Sequence, residues 1–289
     1  MQSKYLKDYE LLDMANSEKL ERWGEYVLIR PDPQIVWNKK ENEKLWNKAN
    51  ARYERSSTGG GYWQKLTKMK DSWTIKYREI TFNLKPMGFK HTGLFPEQSI
   101  NWDYMIDKIK QRKDEGKETK VLNLFAYTGG ATLACLSAGA SVCHVDSSQG
   151  MVNWAKENVK SSNLDKASVR FIVDDVIKFV KREIRRGNKY DAIVMDPPSY
   201  GRGKNGEVWN IDKDLYMLLV ECSKLLSDDP AFILVNTYTG GLSGTIIKNV
   251  LRLALNEKDL SNITSYEITL KVSNSDTELP CGITTKWEV

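Results

Sequence analysis

From residue 120 onward, the sequence alternates between short apolar runs and stretches with helical spacing. Strands that are apolar along their whole length must be covered on both faces, so this alternation predicts a doubly wound α/β sheet of mostly parallel strands. The seven predicted strands cover residues 120–127, 141–146, 169–175, 190–196, 231–237, 263–272 and 283–289. The predicted helices between them cover residues 130–140, 150–163, 176–188, 212–227 and 243–257.

Two features frame this alternation. The last two predicted strands are joined by ten residues without a helical pattern, which predicts an antiparallel hairpin, because a parallel pair needs a longer crossover. Ahead of the first strand, residues 100–116 have apolar positions at helical spacing and end at Gly116, so they are predicted to form a helix.

The first 90 residues have a different pattern. They contain five tryptophans and two strand-like runs, at 25–31 and 72–84, separated from each other by polar segments. Residues 16–24 are interpreted as a polar turn and residues 56–61 as a flexible loop. The tryptophans fit core packing better than a substrate platform. We therefore predict a small β-rich domain over residues 1–90, with substrate recognition as its candidate role, and a catalytic domain over residues 91–289.

Composition excludes several classes of protein. Four cysteines without a CxxC pair and only two histidines argue against structural zinc and against a His-centred hydrolase, so no metal is expected. The N-terminal residues have no apolar signal region, and no run approaches 18 apolar residues, so a cytoplasmic protein without a membrane partner is expected. A net charge of +5 is compatible with a nucleic-acid partner and with an ordinary basic surface.

The ends of the first three strands carry residues suited to a nucleoside. In an open α/β sheet, ligands bind at the carboxyl ends of the strands, where the strand order reverses. The glycine loop at 123–130 follows the first strand, and it is not the dinucleotide GxGxxG, which disfavours a pyrophosphate. Asp146 ends the second strand and can accept both ribose hydroxyls. Asp174 or Asp175, with Asp175 favoured, can accept a bond from an adenine amino group, although either can cap the next helix instead.

The fourth strand ends in the sharpest motif of the chain, Asp196-Pro197-Pro198-Ser199-Tyr200. Two prolines directly after a strand end it and hold a rigid loop. A rigid loop at the switch point can hold a planar group against a methyl donor. The motif gains specificity because the glycine loop and the acidic strand ends precede it in order.

Together these motifs resemble a known family. LNLFAYTGG, HVDSS, FIVDD and MDPPSYGRG are similar to the class I methyltransferases of the bacterial 23S ribosomal RNA large-subunit type, which include enzymes that make 5-methylcytosine and 7-methylguanine. The resemblance extends from about His91 to residue 289 and includes TGLFPEQ at 92–98, which looks like the family's segment that covers the cofactor. The N-terminal part is similar to a subgroup known only as methyltransferases and differs from a PUA domain.

The resemblance implies a Rossmann-like domain that binds S-adenosylmethionine and methylates RNA as part of ribosomal RNA processing. The residues it implies for the cofactor are Phe95, Gln98, Asn123, Phe125, Ala126, Tyr127, Thr128, Gly129, Gly130, Asp146, Ser147, Ser148, Asp174, Asp175 and Asp196. The predicted catalytic residues are Asp196, Pro197, Pro198 and Tyr200. Asp196 accepts a hydrogen bond from the acceptor N–H. The two prolines fix the loop, and Tyr200 stacks on or borders the base. The predicted substrate residues are Ser199, Arg202, Lys204, Asn236 and Thr237.

Two departures from the family narrow the chemistry. Thr237 stands where a 5-methylcytosine enzyme has its cysteine nucleophile, and Cys281 in the predicted hairpin loop is a poor substitute, while Cys222 fits a helix core. Ser199 stands where amino-methylating enzymes have an aromatic residue, and Tyr200 comes one place later, which leaves a ring nitrogen, an exocyclic amine or another acceptor open. We therefore expect direct in-line transfer to a base without a cysteine nucleophile. A methyltransferase for a small molecule or a protein remains the alternative, and a nucleotide-binding oxidoreductase or a binding module fits the motifs less well.

Overall fold

The computed structural model describes residues 3–56, 60–203, 206–238 and 241–289. The chain forms two compact units, Met1–Ile100 with Thr269–Cys281, and Asn101–Ile268 with Gly282–Val289, which we call the first and the second unit. The functional division predicted at residue 90, with substrate recognition before it and catalysis after it, stays a prediction. Within the described residues, no helix is long and apolar enough to cross a bilayer.

The first unit is built on a five-stranded sheet in the order β1-β2-β3-β4-β5 and a separate hairpin of β6 and β7. The strands are β1 (Tyr9–Ala15), β2 (Glu18–Trp23), β3 (Tyr26–Pro31), β4 (Ala51–Arg55), β5 (Gly61–Lys65), β6 (Trp73–Tyr77) and β7 (Ile80–Leu84). A short helix α1 (Glu43–Trp46) precedes β4, and a 3-10 turn spans Pro96–Gln98. The β-rich character predicted for this part of the chain is confirmed.

Two of the local predictions for the first unit are wrong. Residues 16–24 are not one polar turn, because Asn16 and Ser17 turn with φ of 55° and 59°, β2 (Glu18–Trp23) follows at once, and Gly24 begins the next turn with φ of 64°. The run 72–84 is not one strand, because Arg78 adopts a φ of 51° and folds it into the β6–β7 hairpin. Residues 57–59 of the predicted flexible loop lie outside the described residues.

A buried ion cluster in the first unit explains why β2 looks polar in sequence. The Glu21 carboxylate, with no exposed surface, accepts hydrogen bonds from Arg30 Nε at 2.5 Å, Arg30 Nη2 at 2.7 Å and Tyr9 Oη at 2.7 Å. Burial by itself would raise the pKa of Glu21. The positive charges of Arg30 and Lys19 outweigh this effect and lower the pKa to about 2. The tryptophans Trp23, Trp46 and Trp73 are buried, as their interpretation as core residues requires.

The predicted seven-stranded sheet has the order β10-β9-β8-β11-β14-β16-β15 and lies in the second unit, except for the parts of β15 and β16 within Thr269–Cys281. Its strands are β8 (Lys120–Leu124), β9 (Ser141–Asp146), β10 (Val169–Val173), β11 (Ala192–Met195), β14 (Phe232–Thr237), β15 (Ile263–Lys271) and β16 (Glu278–Glu288). Strands β8 to β11 and β14 run parallel, whereas β16 is antiparallel to β14, so the predicted mostly parallel sheet with antiparallel C-terminal strands is confirmed.

Helices cover this sheet. They are α2 (Ser99–Asp114), α3 (Gly130–Ser137), α4 (Gln149–Ser161), α5 (Val176–Arg185), α6 (Ile211–Ser223) and α7 (Gly244–Leu255). Helices α5, α6 and α7 share one apolar core with the central strands, whereas α3 and α4 contact β8, β9 and β10. Cys222, on α6, is buried in this apolar core, as predicted.

The sheet differs from the predictions at the end of the first strand, at the start of the last strand and in an added hairpin. The first strand ends at Leu124 instead of residue 127, because Phe125 and Tyr127 adopt φ of 54° and 51°, which no strand allows. The last strand begins at Glu278 instead of residue 283, so the predicted ten-residue loop is shorter. The sequence also gave no sign of the hairpin of β12 (Tyr200–Arg202) and β13 (Val208–Asn210) that follows the DPP motif.

Candidate active site

The strand order places the candidate site between β8 and β11. From β8 the chain winds outward through β9 to β10, and it then returns to the other side of β8 with β11. The carboxyl ends of these parallel strands meet at one edge of the sheet, so the glycine loop, Asp146 and Asp196 emerge there together. This is the topological switch point at which α/β sheets bind ligands.

Asp146 is fixed between two loops by its own carboxylate. Its Oδ2 accepts the backbone N–H of Tyr127 at 2.8 Å, and its Oδ1 accepts that of Ser148 at 2.8 Å. Burial raises the pKa of Asp146, and the two amides act against that rise. Since each carboxylate oxygen has two lone-pair directions, one direction on each oxygen remains for a hydroxyl donor. The geometry therefore suits the paired hydroxyls of a ribose.

The two glycines of the loop are required by packing. Gly129 adopts a φ of 90° at the start of α3, and a Cβ there would lie 3.1 Å from Ala155 Cβ. A Cβ on Gly130 would lie 2.8 Å from the Trp102 ring. This packing reason stands beside the predicted one, which was the close approach of a ligand to the backbone.

Several other predicted cofactor residues serve the fold of the loop. Asn123 is buried in β8 and donates from Nδ2 to Thr132 Oγ1 at 2.9 Å. The Thr128 carbonyl accepts the Nδ2 group of the buried Asn158 at 2.9 Å. Ala126 is also buried, and its amide donates to the Val145 carbonyl at 3.0 Å.

The acidic residues after β10 have observed local partners. Asp175 caps α5, because its Oδ1 accepts the amide of Lys178 at 2.9 Å, so the capping alternative for Asp175 is what the structure shows. Asp174 accepts the amide of Asp175 and pairs with Arg182. A contact from either aspartate to an adenine amino group stays a prediction.

The remaining predicted cofactor residues lie on both units. Ser147 is exposed after β9, and Ser148 caps α4 by accepting the amide of Met151 at 3.4 Å. Phe95 and Gln98 belong to the first unit, where the backbone N–H of Gln98 donates to the backbone carbonyl of Phe95 at 3.2 Å. Their role in covering the cofactor stays a prediction.

A hydrogen-bonded network anchors Asp196. Asn236 Nδ2 donates to Asp196 Oδ1 at 3.3 Å, and the Tyr238 hydroxyl donates to Oδ2 at 3.3 Å. Asn236 is itself held by the hydroxyl of Thr284 on β16, which donates to its Oδ1 at 3.0 Å. Thr284 also accepts Asn101 Nδ2 at 2.9 Å, so helix α2 joins the network. The carboxylate therefore has a fixed orientation at the edge of the sheet.

The loop after Asp196 is rigid for reasons beyond its two prolines. Pro197 is buried, and the exposed Pro198 accepts a hydrogen bond at its carbonyl from Trp209 Nε1 at 2.7 Å. The Ser199 carbonyl accepts the amide of Ile211 at 3.1 Å. The Trp209 ring in turn lies 5.0 Å from that of Phe125, so this hairpin tryptophan connects the glycine loop to the DPP loop.

Two predicted substrate residues lie together on β12. Tyr200 is 51% exposed, and its hydroxyl accepts a hydrogen bond from Arg202 Nε at 2.9 Å. Lys204 lies outside the described residues. Thr237 is buried at the end of β14, and its hydroxyl has no hydrogen-bond partner within the described part of the chain. Trp209, Tyr238 and Thr284 were missed, and no local motif marks them.

The cysteines are poor nucleophiles. Burial raises the pKa of the Cys135 thiol to about 12 and that of Cys143 to about 11, and burial raises the pKa of Cys222 and Cys281 further still. Burial also lowers the pKa of His144 to about 3, so it is a neutral core histidine. Within the described ranges, no group of three or more metal-binding side chains is present.

Comparison with known proteins agrees with this geometry. The family model of S-adenosylmethionine-dependent methyltransferases matches residues 37–237. The chain belongs to this family. A solved structure of a SAM-dependent methyltransferase from Agrobacterium tumefaciens is 31% identical, with a TM-score of 0.92, over 100% of this chain and 92% of that one. This likeness confirms the predicted fold, and family membership assigns S-adenosylmethionine as the cofactor.

Curated relatives share a smaller part of their length. The chain is 34% identical over 180 residues to the ribosomal RNA large subunit methyltransferase K/L of Shewanella frigidimarina, covering 62% of this chain and 24% of the relative. It is 38% identical over 148 residues to the ribosomal RNA large subunit methyltransferase I of an Enterobacter strain, covering 49% of this chain and 36% of the relative. The chain thus spans about a quarter to a third of these proteins.

Proposed function

We propose that this methyltransferase modifies a base of ribosomal RNA by direct in-line transfer. The observation that carries the proposal is the anchored carboxylate of Asp196, followed by a rigid proline loop, at the switch point of the sheet. The names of the curated relatives support ribosomal RNA as the substrate. We also propose that the enzyme works in the cytoplasm, where ribosomes are found.

The residues around the switch point fit S-adenosylmethionine. The half-buried carboxylate of Asp146 presents lone pairs beside a loop that is not built for pyrophosphate, which suits a ribose without phosphates. When bound, the cofactor supplies a methyl group on a sulfonium that leaves as a neutral thioether. We assign the ribose to Asp146 and the adenine side to the residues after β10.

Asp196 acts on the acceptor. Its carboxylate accepts a hydrogen bond from the N–H of the base and so directs the nitrogen lone pair toward the methyl carbon. As the new N–C bond forms, the carboxylate holds the proton that the nitrogen loses. Pro197 and Pro198 keep the loop in place, and Tyr200 stacks on or borders the base. Asn236 and Tyr238 orient Asp196 and are therefore positioning residues.

The cysteines favour this route over a covalent one. A thiolate, not a thiol, adds to a pyrimidine ring. Burial raises the pKa of all four cysteines, so they remain protonated at neutral pH. Direct transfer needs no such nucleophile, because the methyl group is already activated.

The test is methyl transfer from radiolabelled S-adenosylmethionine to deproteinised ribosomal RNA, intact ribosomal subunits and a cell extract of proteins and metabolites. We expect label in RNA, and a loss of about a hundredfold or more in Asp196→Asn with unchanged cofactor affinity by calorimetry. Asp146→Asn is expected to lose cofactor affinity instead. Asp165→Asn, at an exposed position of the second unit, is the control and is expected to be normal.

Label found only in the extract would replace the RNA substrate by a small molecule or a protein. Normal turnover of Asp196→Asn would refute the role given to this carboxylate. Normal cofactor affinity of Asp146→Asn would refute the assignment of the ribose.

A further inference from the structure

The excess positive charge of this protein lies in its N-terminal third. Residues 1–100 contain 18 Lys and Arg against 13 Asp and Glu, whereas residues 101–289 contain 25 of each. The net charge of +5 therefore arises before residue 101. Since the strands that carry Asp146 and Asp196 follow residue 119, this excess charge is separate in sequence from the strand-end carboxylates.

Within the first unit, aromatic side chains gather at the β4–β5 edge. Tyr53 and Trp63 are paired across the two strands, with ring centroids 5.6 Å apart and an interplanar angle of 72°. The Tyr53 hydroxyl donates to the Gly88 carbonyl at 3.2 Å, and Trp63 Nε1 donates to the Phe89 carbonyl at 3.3 Å. These bonds hold the loop that presents Phe89, which is 62% exposed. We call Tyr53, Trp63 and Phe89 the aromatic edge.

The segments that form this edge are strongly basic. Residues 60–70 and 85–91 together contain five lysines and one histidine, and they contain no aspartate or glutamate. Lys68 and Lys85 are exposed there, and so is Arg55, which lies opposite Gly61 in the strand pairing. Two of the lysines, Lys65 and Lys70, pair with acidic residues from outside these segments.

We propose that the aromatic edge binds unpaired nucleotides of the RNA substrate, an inference that rests on the proposed function. Within the aromatic edge, Phe89 is exposed, Trp63 is half-buried and Tyr53 is buried. The exposed ring surfaces of Phe89 and Trp63 can stack on bases regardless of sequence, and lysines around them neutralise the phosphates. A duplex hides the faces of its bases, so the exposed Phe89 ring favours a single strand. The exposed positive charges of Arg55, Lys68 and Lys85 favour a polyanion over a protein partner. The RNA is thereby held by a part of the protein chain that carries neither Asp146 nor Asp196.

The experiment measures binding of fluorescein-labelled RNA of about 12 nucleotides, a typical span for a stacking surface, to the full chain by fluorescence anisotropy. Phe89→Ala is expected to weaken binding of single-stranded uridine and adenosine oligomers by at least fivefold, because stacking on one ring is lost. Phe89→Tyr keeps a ring and is expected to bind normally. The matched control is Tyr62→Ala: Tyr62 is also 62% exposed, but it alternates to the opposite face of β5, so binding should not change.

The charge is tested separately. Lys68→Glu is expected to weaken binding and to reduce the slope of log Kd against log salt by about one, because a phosphate contact is lost. Lys44→Glu makes the same change at an exposed position on α1, outside the aromatic edge, and should leave the slope unchanged. All variants are checked for an unchanged melting temperature.

The outcomes separate this inference from the proposed function. Normal RNA binding by both Phe89→Ala and Lys68→Glu would overturn the aromatic edge as an RNA site, even if ribosomal RNA is methylated, and would leave a protein as its occupant. A preference of the wild type for duplex RNA would also overturn it. If RNA binds at this edge and no label enters RNA in the transfer assay, the proposed function fails while the binding surface stands.

Discussion

Thr284 provides the most direct test of the network around Asp196. Its side chain has no exposed surface, and its hydroxyl accepts Asn101 Nδ2 at 2.9 Å and donates to Asn236 Oδ1 at 3.0 Å. Valine has nearly the same shape, so Thr284→Val opens no cavity. The substitution removes one hydrogen-bond partner from each of the two buried asparagines, Asn101 and Asn236. A buried polar group that loses its partner costs about 1–3 kcal/mol, so the two losses should destabilise the protein by about 2–6 kcal/mol.

The same substitution should change the chemistry. Without Thr284, nothing on β16 holds Asn236 Oδ1, and Asn236 Nδ2 is no longer aimed at Asp196. A misplaced carboxylate orients the acceptor less well, so kcat should fall about tenfold while the affinity for S-adenosylmethionine stays the same. Unfolding in urea gives the first quantity, and single-turnover methyl transfer with calorimetry gives the others.

Thr285→Val is the matched control. Thr285 is equally buried, but its hydroxyl is bonded to Ser265 at 2.9 Å and, one residue along β16, faces the other side of the sheet. It should lose about 1 kcal/mol and keep normal kcat. If the two variants have the same kcat, the reasoning about the anchored carboxylate is refuted, whatever their stabilities.

Three further predictions concern the stability of the fold. Arg30→Met leaves Glu21 charged and buried, so it should cost about 3–5 kcal/mol in urea unfolding, whereas adding Glu21→Gln should restore most of that loss. Because the folded-state pKa of Glu21 is lowered from 4.5 to about 2, its charge stabilises the protein above pH 4.5. About 3 kcal/mol of that stabilisation should be lost as the pH falls toward 2, and an unchanged midpoint of unfolding between pH 5 and pH 3 would contradict this. Gly130→Ala forces a Cβ to within 2.8 Å of Trp102 and should cost about 1–3 kcal/mol, whereas Gly150→Ala, with its nearest neighbour at 3.8 Å, should be neutral or stabilising in thermal melts.

The central sheet could be predicted because its strands are buried on both faces. Segments such as 192–195 and 232–237 are fully buried, and a continuous apolar run is the direct signature of that environment. The start of β16 could not be predicted in the same way. Pro280 and Gly282 interrupt its apolar pattern, and residues 278–282 lie ahead of the part of β16 that pairs with β14, where β15 is the neighbouring strand.

The strands of the first unit were harder to predict because several of their charged side chains are buried. A sequence with Lys19, Glu21 and Arg30 close together looks like a solvated segment. In the structure these side chains are buried and neutralise one another across β2 and β3. Which charges pair is decided by strand register, and a single sequence does not contain that information.

The residues of the candidate site likewise fall into those that the sequence could predict and those that it could not. Asp146 and Asp196 could be predicted because each directly follows an apolar strand, and the ends of parallel strands share one edge. Thr284 could not, because it reaches Asp196 through Asn236 and the antiparallel pairing of β14 and β16. Tyr238 directly follows β14 and donates to Asp196 itself, but no local motif marks it for that contact. Trp209 reaches the DPP loop from a hairpin that has no apolar pattern of its own.

The position of β16 has a consequence for synthesis of the protein. Although it follows β15 in the chain, β16 lies between β14 and β15 in the sheet. A chain still emerging from the ribosome can form β8 to β11 and expose Asp196 long before Thr284 has been made. During that interval Asn236 and Tyr238 can already donate to the carboxylate, but the hydroxyl of Thr284 that holds Asn236 is still missing. The order of the strands thus means that the network around Asp196 is completed only when β16 pairs with β14.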